Sequence, residues 1–220
     1  MIMDSTTISG HEALKTDLPI DMEEDFVNSV YASVDKAAAG ELARLRGRDG
    51  IVPTCSLGCN HCCHHHILTS SLEAHKLAQH IKREFSEQQI MELKMRTRQW
   101  HAWDRRLPGR YPSENLDSET DLTNYHHCCP LNVDGACSAY QARPVVCRVH
   151  YVSSPVLACL ALNDRSLSQS IPVKMTSIET STQPFSKAVR DRIESSGMDF
   201  TRAVMLLPHW LATEMEWDFQ

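Results

Sequence analysis

The segment from Cys55 to Cys63 places four cysteines within nine residues, CSLGCNHCC. This segment constrains the fold more than any other, because thiols two or three residues apart can close on one metal ion through a tight turn. Gly58 and Asn60 supply backbone positions that tolerate such a turn. Tetrahedral Zn²⁺ and iron–sulfur clusters both accept four thiolates. The segment therefore predicts a zinc or iron site, and the spacing leaves the identity of the metal open.

Cys62 and Cys63 are neighbours in the sequence. Adjacent side chains diverge in both helical and extended backbone. We therefore expect these two thiolates to serve different metal centres, or different irons of one cluster.

A second group of cysteines, Cys129 to Cys159, follows after a long interval. Pro130, Gly135 and Pro144 lie between its members and favour turns. Its spacings are loose, but together the two groups supply eight thiolates, which suits two four-coordinate sites. The candidate metal ligands are Cys55, Cys59, Cys62, Cys63, Cys129, Cys137, Cys147 and Cys159. Since neither group has a periodic apolar pattern of its own, we expect metal to join the two groups.

The nine cysteines are an odd number at tight spacing, which favours metal ligation in a reducing compartment over a disulfide framework. The acidic start of the chain lacks the basic and apolar segments of a secretory signal. No apolar run is long enough to cross a membrane. The net charge of −6 argues against a general nucleic-acid binder. The expected location is the cytoplasm, without a membrane or nucleic-acid partner.

Apolar periodicity predicts a mainly α fold, with helices packed around an irregular, loop-rich cysteine centre. Two candidate capping boxes, Ser70 with Glu73 and Ser86 with Gln89, open predicted helices that reach about residues 85 and 106. Further helices are expected over residues 21–48, 185–196 and 199–217, the last interrupted near Pro208. A linker is expected over 107–124, and the Ser/Thr-rich stretch 164–184 is expected to be irregular.

The predicted organisation has three parts. Residues 1–20 form a flexible N-terminal arm, residues 21–163 a cysteine-cluster metal-binding domain, and residues 164–220 a C-terminal helical extension.

Two stretches carry a resemblance to a known family: CSLGCNHCCHHHILTSSLEAHKLAQHI and CPLNVDGACSAYQARPVVCRVH. They resemble the CxxCxxCC signature and the later Cys-Pro, Gly-x-Cys and Arg-Pro-x-x-Cys-Arg run of the YkgJ-type cysteine-cluster proteins. The resemblance covers residues 51–160 and implies a domain that chelates zinc or iron, the latter also as an Fe–S cluster. The chain departs from the pattern in two places, with three residues between Cys55 and Cys59 and with an additional cysteine, Cys128.

Several other side chains near the cysteines are candidates for supporting roles. Histidine replaces cysteine on zinc or on one iron of some clusters, and His64 and His127 are the best placed of the twelve. Arg143 and Arg148 flank Cys147, where guanidinium groups would offset the negative charge of a thiolate centre. The basic stretch 82–110, with Trp100 and Trp103, is more typical of a solvated helix face with buried tryptophans than of a nucleic-acid surface.

The sequence therefore favours a protein that binds zinc or iron through cysteine thiolates. One alternative is an oxidoreductase or protein-modifying enzyme with an Fe–S or non-haem iron centre. Another is an interaction protein with a protein partner, in which zinc only staples the fold. No nucleotide-binding, hydrolase or metalloprotease motif is present.

Overall fold

The computed structural model describes residues 20–56, 58–105, 127–163, 167 and 171–219, with side chains described from residue 25 onwards. These residues are mainly α-helical, which confirms the fold class predicted from the sequence. The helices are α1 Ile20–Asp49, α2 Ser71–Glu84, α3 Glu87–Asp104, α4 Val145–Arg148, α5 Val156–Asn163, α6 Thr176–Ser195 and α7 Leu207–Glu214. The predicted arm, apart from Ile20, and the predicted linker 107–124 lie outside the described residues.

The first three helices follow their sequence signals closely. The Ser70 hydroxyl accepts from the backbone N–H of Glu73, and the Glu73 carboxylate accepts from the backbone N–H of Ser70, so a complete capping box opens α2. Ser86 and Gln89 form the same box at the start of α3. Each box satisfies two of the donors that a helix N-terminus leaves without partners. Both predicted capping boxes are confirmed.

Two expectations in the C-terminal third are wrong. Residues 176–184 are not irregular but form the first half of α6, because hydroxyls such as Thr180 and Thr182 bond to helix carbonyls while Ile178 is buried. The predicted helix over 199–217 is instead a 3-10 helix, Phe200–Ala203, a strand and then α7.

Short strands tie distant parts of the chain together. Strand β1, Leu68–Ser70, pairs antiparallel with β4, Val204–Leu206, so that Thr69 lies opposite Met205. Strands β2, Asn132–Val133, and β3, Ala136–Cys137, form a small hairpin. The β1–β4 pair fixes the start of α2 against the start of α7.

The buried apolar side chains form two clusters. One packs α1 against α4 and α6 and includes Val34, Val149 and Ile178. The other packs α2, α3 and α7 against the segment 129–142 and includes Leu77, Leu93, Leu131, Leu211 and Cys129. Residues 176–219 thus contribute to both clusters, and Cys63 and Cys137 pack against the second.

Among the described residues, no helix combines the length and the apolar character needed to cross a membrane.

Candidate metal centre

The cluster segment folds as a turn followed by a 3-10 helix, His61–His64. The backbone N–H of Cys59 donates to Ser56 O at 3.0 Å, and that of Cys63 donates to Asn60 O at 2.9 Å. Gly58 has a φ of 88°, a left-handed conformation that favours glycine. These turns hold Cys59, Cys62 and Cys63 in one compact segment, as the Gly-Cys-Asn sequence predicts.

The β2–β3 hairpin brings the second cysteine group against the first. Its turn residues Asp134 and Gly135 both have positive φ, 50° and 84°, as a two-residue type I′ turn requires. A Cβ atom on Gly135 would lie 3.8 Å from Asn60 Nδ2 and from Gly58 O, so the hairpin tip touches the cluster turn. Next to the hairpin, the backbone N–H of Cys129 donates to Cys63 O at 2.7 Å.

Cys147 is positioned by helix α4, whose start is tied to α2. The backbone N–H of Val145 donates to Glu73 Oε1 at 2.7 Å. The other oxygen of the same buried carboxylate accepts from the Ser70 hydroxyl at 2.7 Å. Glu73 therefore joins the N-termini of α2 and α4. The capping-box motif identifies Glu73 in the sequence, but the contact with Val145 has no sequence signal.

Cys159 lies on α5, which packs against the 3-10 helix His61–His64. Asn163 Nδ2 donates to His61 O at 2.8 Å and fixes this contact. On the other side of the cluster, the backbone N–H of Val152 donates to Cys55 Sγ at 3.4 Å. The ends of the first group and the last cysteine of the second are thus held near the same short helix.

Eight of the cysteines divide into two sets by the electrostatic contacts among their sulfur atoms. Burial is the largest cause of a raised pKa at Cys129, Cys137 and Cys147, and the Cys63 sulfur raises all three further. We call Cys63 and these three the hairpin set.

The second set centres on Cys59 in the same way. Burial is the largest cause of the raised pKa at Cys55 and Cys159, and the Cys59 sulfur adds to it in both. At Cys62 the hydrogen bond to Cys63 is the largest cause and burial the next, and the sulfurs of Cys63, Cys147 and Cys59 add to it, so Cys62 contacts both sets. Because the side chains of adjacent residues diverge, we group Cys62 with Cys55, Cys59 and Cys159 rather than with Cys63, and call these four the loop set.

The two sets adjoin at the vicinal pair. The Cys62 thiol donates to the Cys63 sulfur, which raises the pKa of Cys62 and lowers that of Cys63 to about 6. Asn132 helps to lower the pKa of Cys63 as well. Its Nδ2 atom is buried and lacks a partner of standard geometry among the described residues, so its contact with the sulfur is a weak one that gains strength when Cys63 ionises. Sequence reasoning missed this residue.

The other thiols of the hairpin set, Cys129, Cys137 and Cys147, resist ionisation. Burial raises the pKa of Cys147 to about 12, and the sulfurs of Cys137 and Cys63 add to the effect. Forming several thiolates side by side in such a site requires a compensating cation. Cys128 is half-buried, and among the sulfurs only that of Cys63 adds to the burial that raises its pKa, so Cys128 lies beside the hairpin set.

Within the described part of the chain, no three His, Cys, Asp or Glu side chains stand together as a ready-made metal site. All nine cysteines are free thiols. The two sets therefore bring the predicted ligands near one another without the geometry of a coordinated ion.

The two arginines beside Cys147 differ in their contacts. The positive charge of Arg143 opposes the burial that raises the pKa of Cys137 and Cys147, so its guanidinium faces the hairpin set. Arg148 is buried and turns away, since its Nη1 donates to Asp35 Oδ2 at 2.6 Å and its guanidinium lies 4.0 Å from the ring centre of Tyr31.

The candidate histidines lie around the cluster with different partners. His64 Nδ1 is buried without a hydrogen-bond partner among the described residues. The His127 ring packs against Trp103, with 5.1 Å between ring centres, and its Nδ1 lies 3.3 Å from Cys128 O. Trp100 is buried beside Trp103.

No protein-family model, curated protein or solved structure matches the chain.

Proposed function

We propose that the protein binds zinc or iron through two adjoining sets of four cysteine thiolates. The hairpin set supplies one group of ligands, and the loop set supplies the other. The observation that carries the proposal is that thiols from distant parts of the chain lie close enough to Cys59 and to Cys63 of the short helix to act on one another's pKa.

The chemistry of the donors supports this proposal. Thiols packed together in this way have little value to a fold beyond packing, since each is a small apolar group. As thiolates they form the ligand set of structural zinc and of iron–sulfur clusters, with Zn–S distances of about 2.3 Å. Metal binding must then release protons, and the hydrogen bond from the Cys62 thiol favours the thiolate form of Cys63 by lowering its pKa.

Neighbouring groups would stabilise the charge of such a centre. A zinc ion with four thiolates carries a net charge of about −2. The Arg143 guanidinium and the Asn132 amide both lie on the hairpin set and lower the pKa of its thiols. Positive charge and N–H donors next to thiolate sulfur are the usual outer contacts of metal–thiolate sites.

The resemblance of residues 51–160 to the YkgJ-type cysteine-cluster family supports the same proposal, because the motifs that carry it contain seven of the eight cysteines of the two sets, all but Cys159. Nine free thiols also favour a reducing compartment such as the cytoplasm.

The test is elemental analysis combined with a visible spectrum on protein purified without oxygen. We expect stoichiometric zinc or iron. Zinc bound to thiolates is colourless, whereas an iron–sulfur protein is brown, so the spectrum also separates a zinc protein from an iron–sulfur one. Folded protein that contains neither metal would refute the proposal.

A further inference from the structure

A cavity of about 390 Å³ lies between α1 and the segment that carries Cys147. Its walls combine two tyrosine rings, Tyr140 and Tyr151, with the apolar side chain of Leu42 from α1. Arg143 and Arg148 supply its positive charge, and Asp35 supplies a carboxylate. The cavity is thus partly aromatic and partly cationic, which is typical of small-molecule sites with one charged anchor.

Arg148 and Asp35 satisfy each other. Arg148 Nε donates to Arg143 O at 2.8 Å, Nη1 donates to Asp35 Oδ2 at 2.6 Å, and Nη2 donates to Gln141 O. Both charges of this ion pair are used within the protein. The pair shapes the cavity and leaves no net charge in it.

Arg143 is in the opposite situation. Its guanidinium is stacked on the ring of Tyr140 at 3.7 Å from the ring centre. Its Nε is buried and has no hydrogen-bond partner among the described residues. The Nε atom itself is out of reach of a ligand, but Arg143 lines the cavity, and stacking on an aromatic face holds its planar guanidinium in place there.

The cavity also touches both cysteine sets. Arg143 acts electrostatically on Cys137 and Cys147 of the hairpin set. Tyr151 lies near Cys55 of the loop set and near Arg143, since both alter the pKa that burial raises at this tyrosine. A molecule in the cavity would therefore lie next to the two sets without replacing any of their thiols.

We propose that this cavity binds a small organic monocarboxylate. Its carboxylate accepts from the guanidinium of Arg143, and its apolar part packs against Tyr140, Tyr151 and Leu42. A planar carboxylate matches the guanidinium fork in a two-point hydrogen bond. With the Arg148–Asp35 pair neutral, Arg143 is the one cationic anchor of the cavity and also faces the hairpin set, so a monoanion is favoured over a dianion such as phosphate, whose second charge would have no cation to face. The proposal goes beyond metal binding and holds for either metal.

The experiment is isothermal titration of the full-length protein, as purified, with benzoate as the probe. We expect saturable binding at one site per chain, and much weaker binding of benzamide, which has the same shape without the charge. Arg143→Met should weaken benzoate binding by about tenfold or more, since it removes a charge-assisted hydrogen bond. Arg143→Lys keeps the charge but loses the fork, so it should weaken binding by about threefold or more.

Arg190→Met is the matched control, because Arg190 is also stacked on an aromatic ring, Phe200 at 4.8 Å, but lies outside the cavity. Its affinity for benzoate should equal that of the wild type. The proposal would be overturned if benzoate showed no saturable binding, or if both Arg143 variants bound benzoate as tightly as the wild type does. It would also be overturned if benzamide bound the wild type as tightly as benzoate. Tighter binding of inorganic phosphate in competition with benzoate would also overturn it, in favour of a phosphate site.

Metal content measured on the same samples separates this proposal from metal binding. Benzoate binding by metal-free, folded protein would refute the metal site and support the carboxylate site. Full metal content without benzoate binding would support the metal site and refute the carboxylate site.

Discussion

The backbone N–H of Cys129 donates a hydrogen bond of 2.7 Å to the carbonyl oxygen of Cys63. This bond joins the last cysteine of the tight first cluster to the first candidate ligand of the second group, just before the β2–β3 hairpin. Through it, a change at one group is transmitted to the other by backbone geometry, apart from any shared metal. The two cysteine groups therefore belong to one structural unit.

The neighbouring cysteines 128 and 129 provide a test of ligand choice. Cys129→Ser should lose part of the bound metal, because Cys129 is buried within the hairpin set. Cys128→Ser should keep the full metal content, because Cys128 is the additional cysteine of the second group and is less buried than Cys129. Elemental analysis of the two variants, purified in parallel without oxygen, measures the difference. Metal loss only in Cys128→Ser would show that the wrong member of the pair has been assigned.

Glu73 should contribute more to stability than a capping residue alone. Glu73→Ala leaves the backbone N–H of Val145 and the Ser70 hydroxyl without their buried acceptor, which should lower the free energy of unfolding by about 3 kcal/mol. Gln89→Ala removes the equivalent position of the exposed α3 box and should cost about 0.5 kcal/mol. Urea denaturation compares the two, and equal losses would show that the contact with Val145 contributes nothing.

The parts of this fold that the sequence predicts are those with a local sequence signal. Helices α1, α2 and α3 have apolar residues at helical spacing or complete capping boxes, and both signals depend only on neighbouring residues. The hairpin also had a local signal, since Val133-Asp134-Gly135-Ala136 is typical of a type I′ turn, but no strand was predicted there.

Other features depend on contacts between distant residues. The pairing of Thr69 with Met205 joins strands far apart in the sequence, so nothing near either residue indicates it. The start of α6 was hidden by its hydroxyl-rich sequence and by Pro184. The eight candidate cysteines could be named from spacing, but their division into two sets required the fold, because Cys159 approaches Cys55 and Cys59 only through α5.

The hairpin turn should be sensitive to a single methyl group. Gly135→Ala places a side chain at a φ of 84°, and we expect a loss of about 1 kcal/mol in unfolding free energy together with weaker metal retention. Gly40→Ala is the control, because Gly40 lies within helix α1 and a Cβ there meets nothing within 4 Å. It should raise stability by about 0.5–1 kcal/mol. Chemical denaturation measures both, and a stabilising Gly135→Ala would contradict the turn assignment.

His101 should make the protein less stable in acid. Burial lowers its pKa, and the nearby His209 lowers it further, while its Nε2 lies 3.0 Å from Pro208 O. Because the folded pKa is depressed, the neutral ring contributes stability above the unfolded pKa of about 6.5, and this contribution is lost as the pH falls.

His101→Gln keeps a donor for Pro208 O but cannot be protonated. The stability advantage of the wild type over this variant should therefore shrink between pH 7.5 and pH 5, by roughly a few tenths of a kcal/mol, since the half-buried ring is screened by solvent. Urea denaturation of both proteins at each pH measures this difference in unfolding free energy. If acid releases bound metal, the release affects both proteins and so cancels in the comparison. An advantage that grows in acid would contradict the assignment.

The most direct test of the central claim is the metal content of two single variants, one from each cysteine set. We expect wild-type protein purified without oxygen to contain two thiolate-bound centres, and Cys147→Ser and Cys159→Ser each to lose about half of the metal, since each removes one of four ligands from one set. X-ray absorption should show sulfur ligands at about 2.3 Å if the metal is zinc. Loss of all metal in either variant would contradict the division into two sets. Folded wild-type protein without zinc or iron would contradict the claim itself.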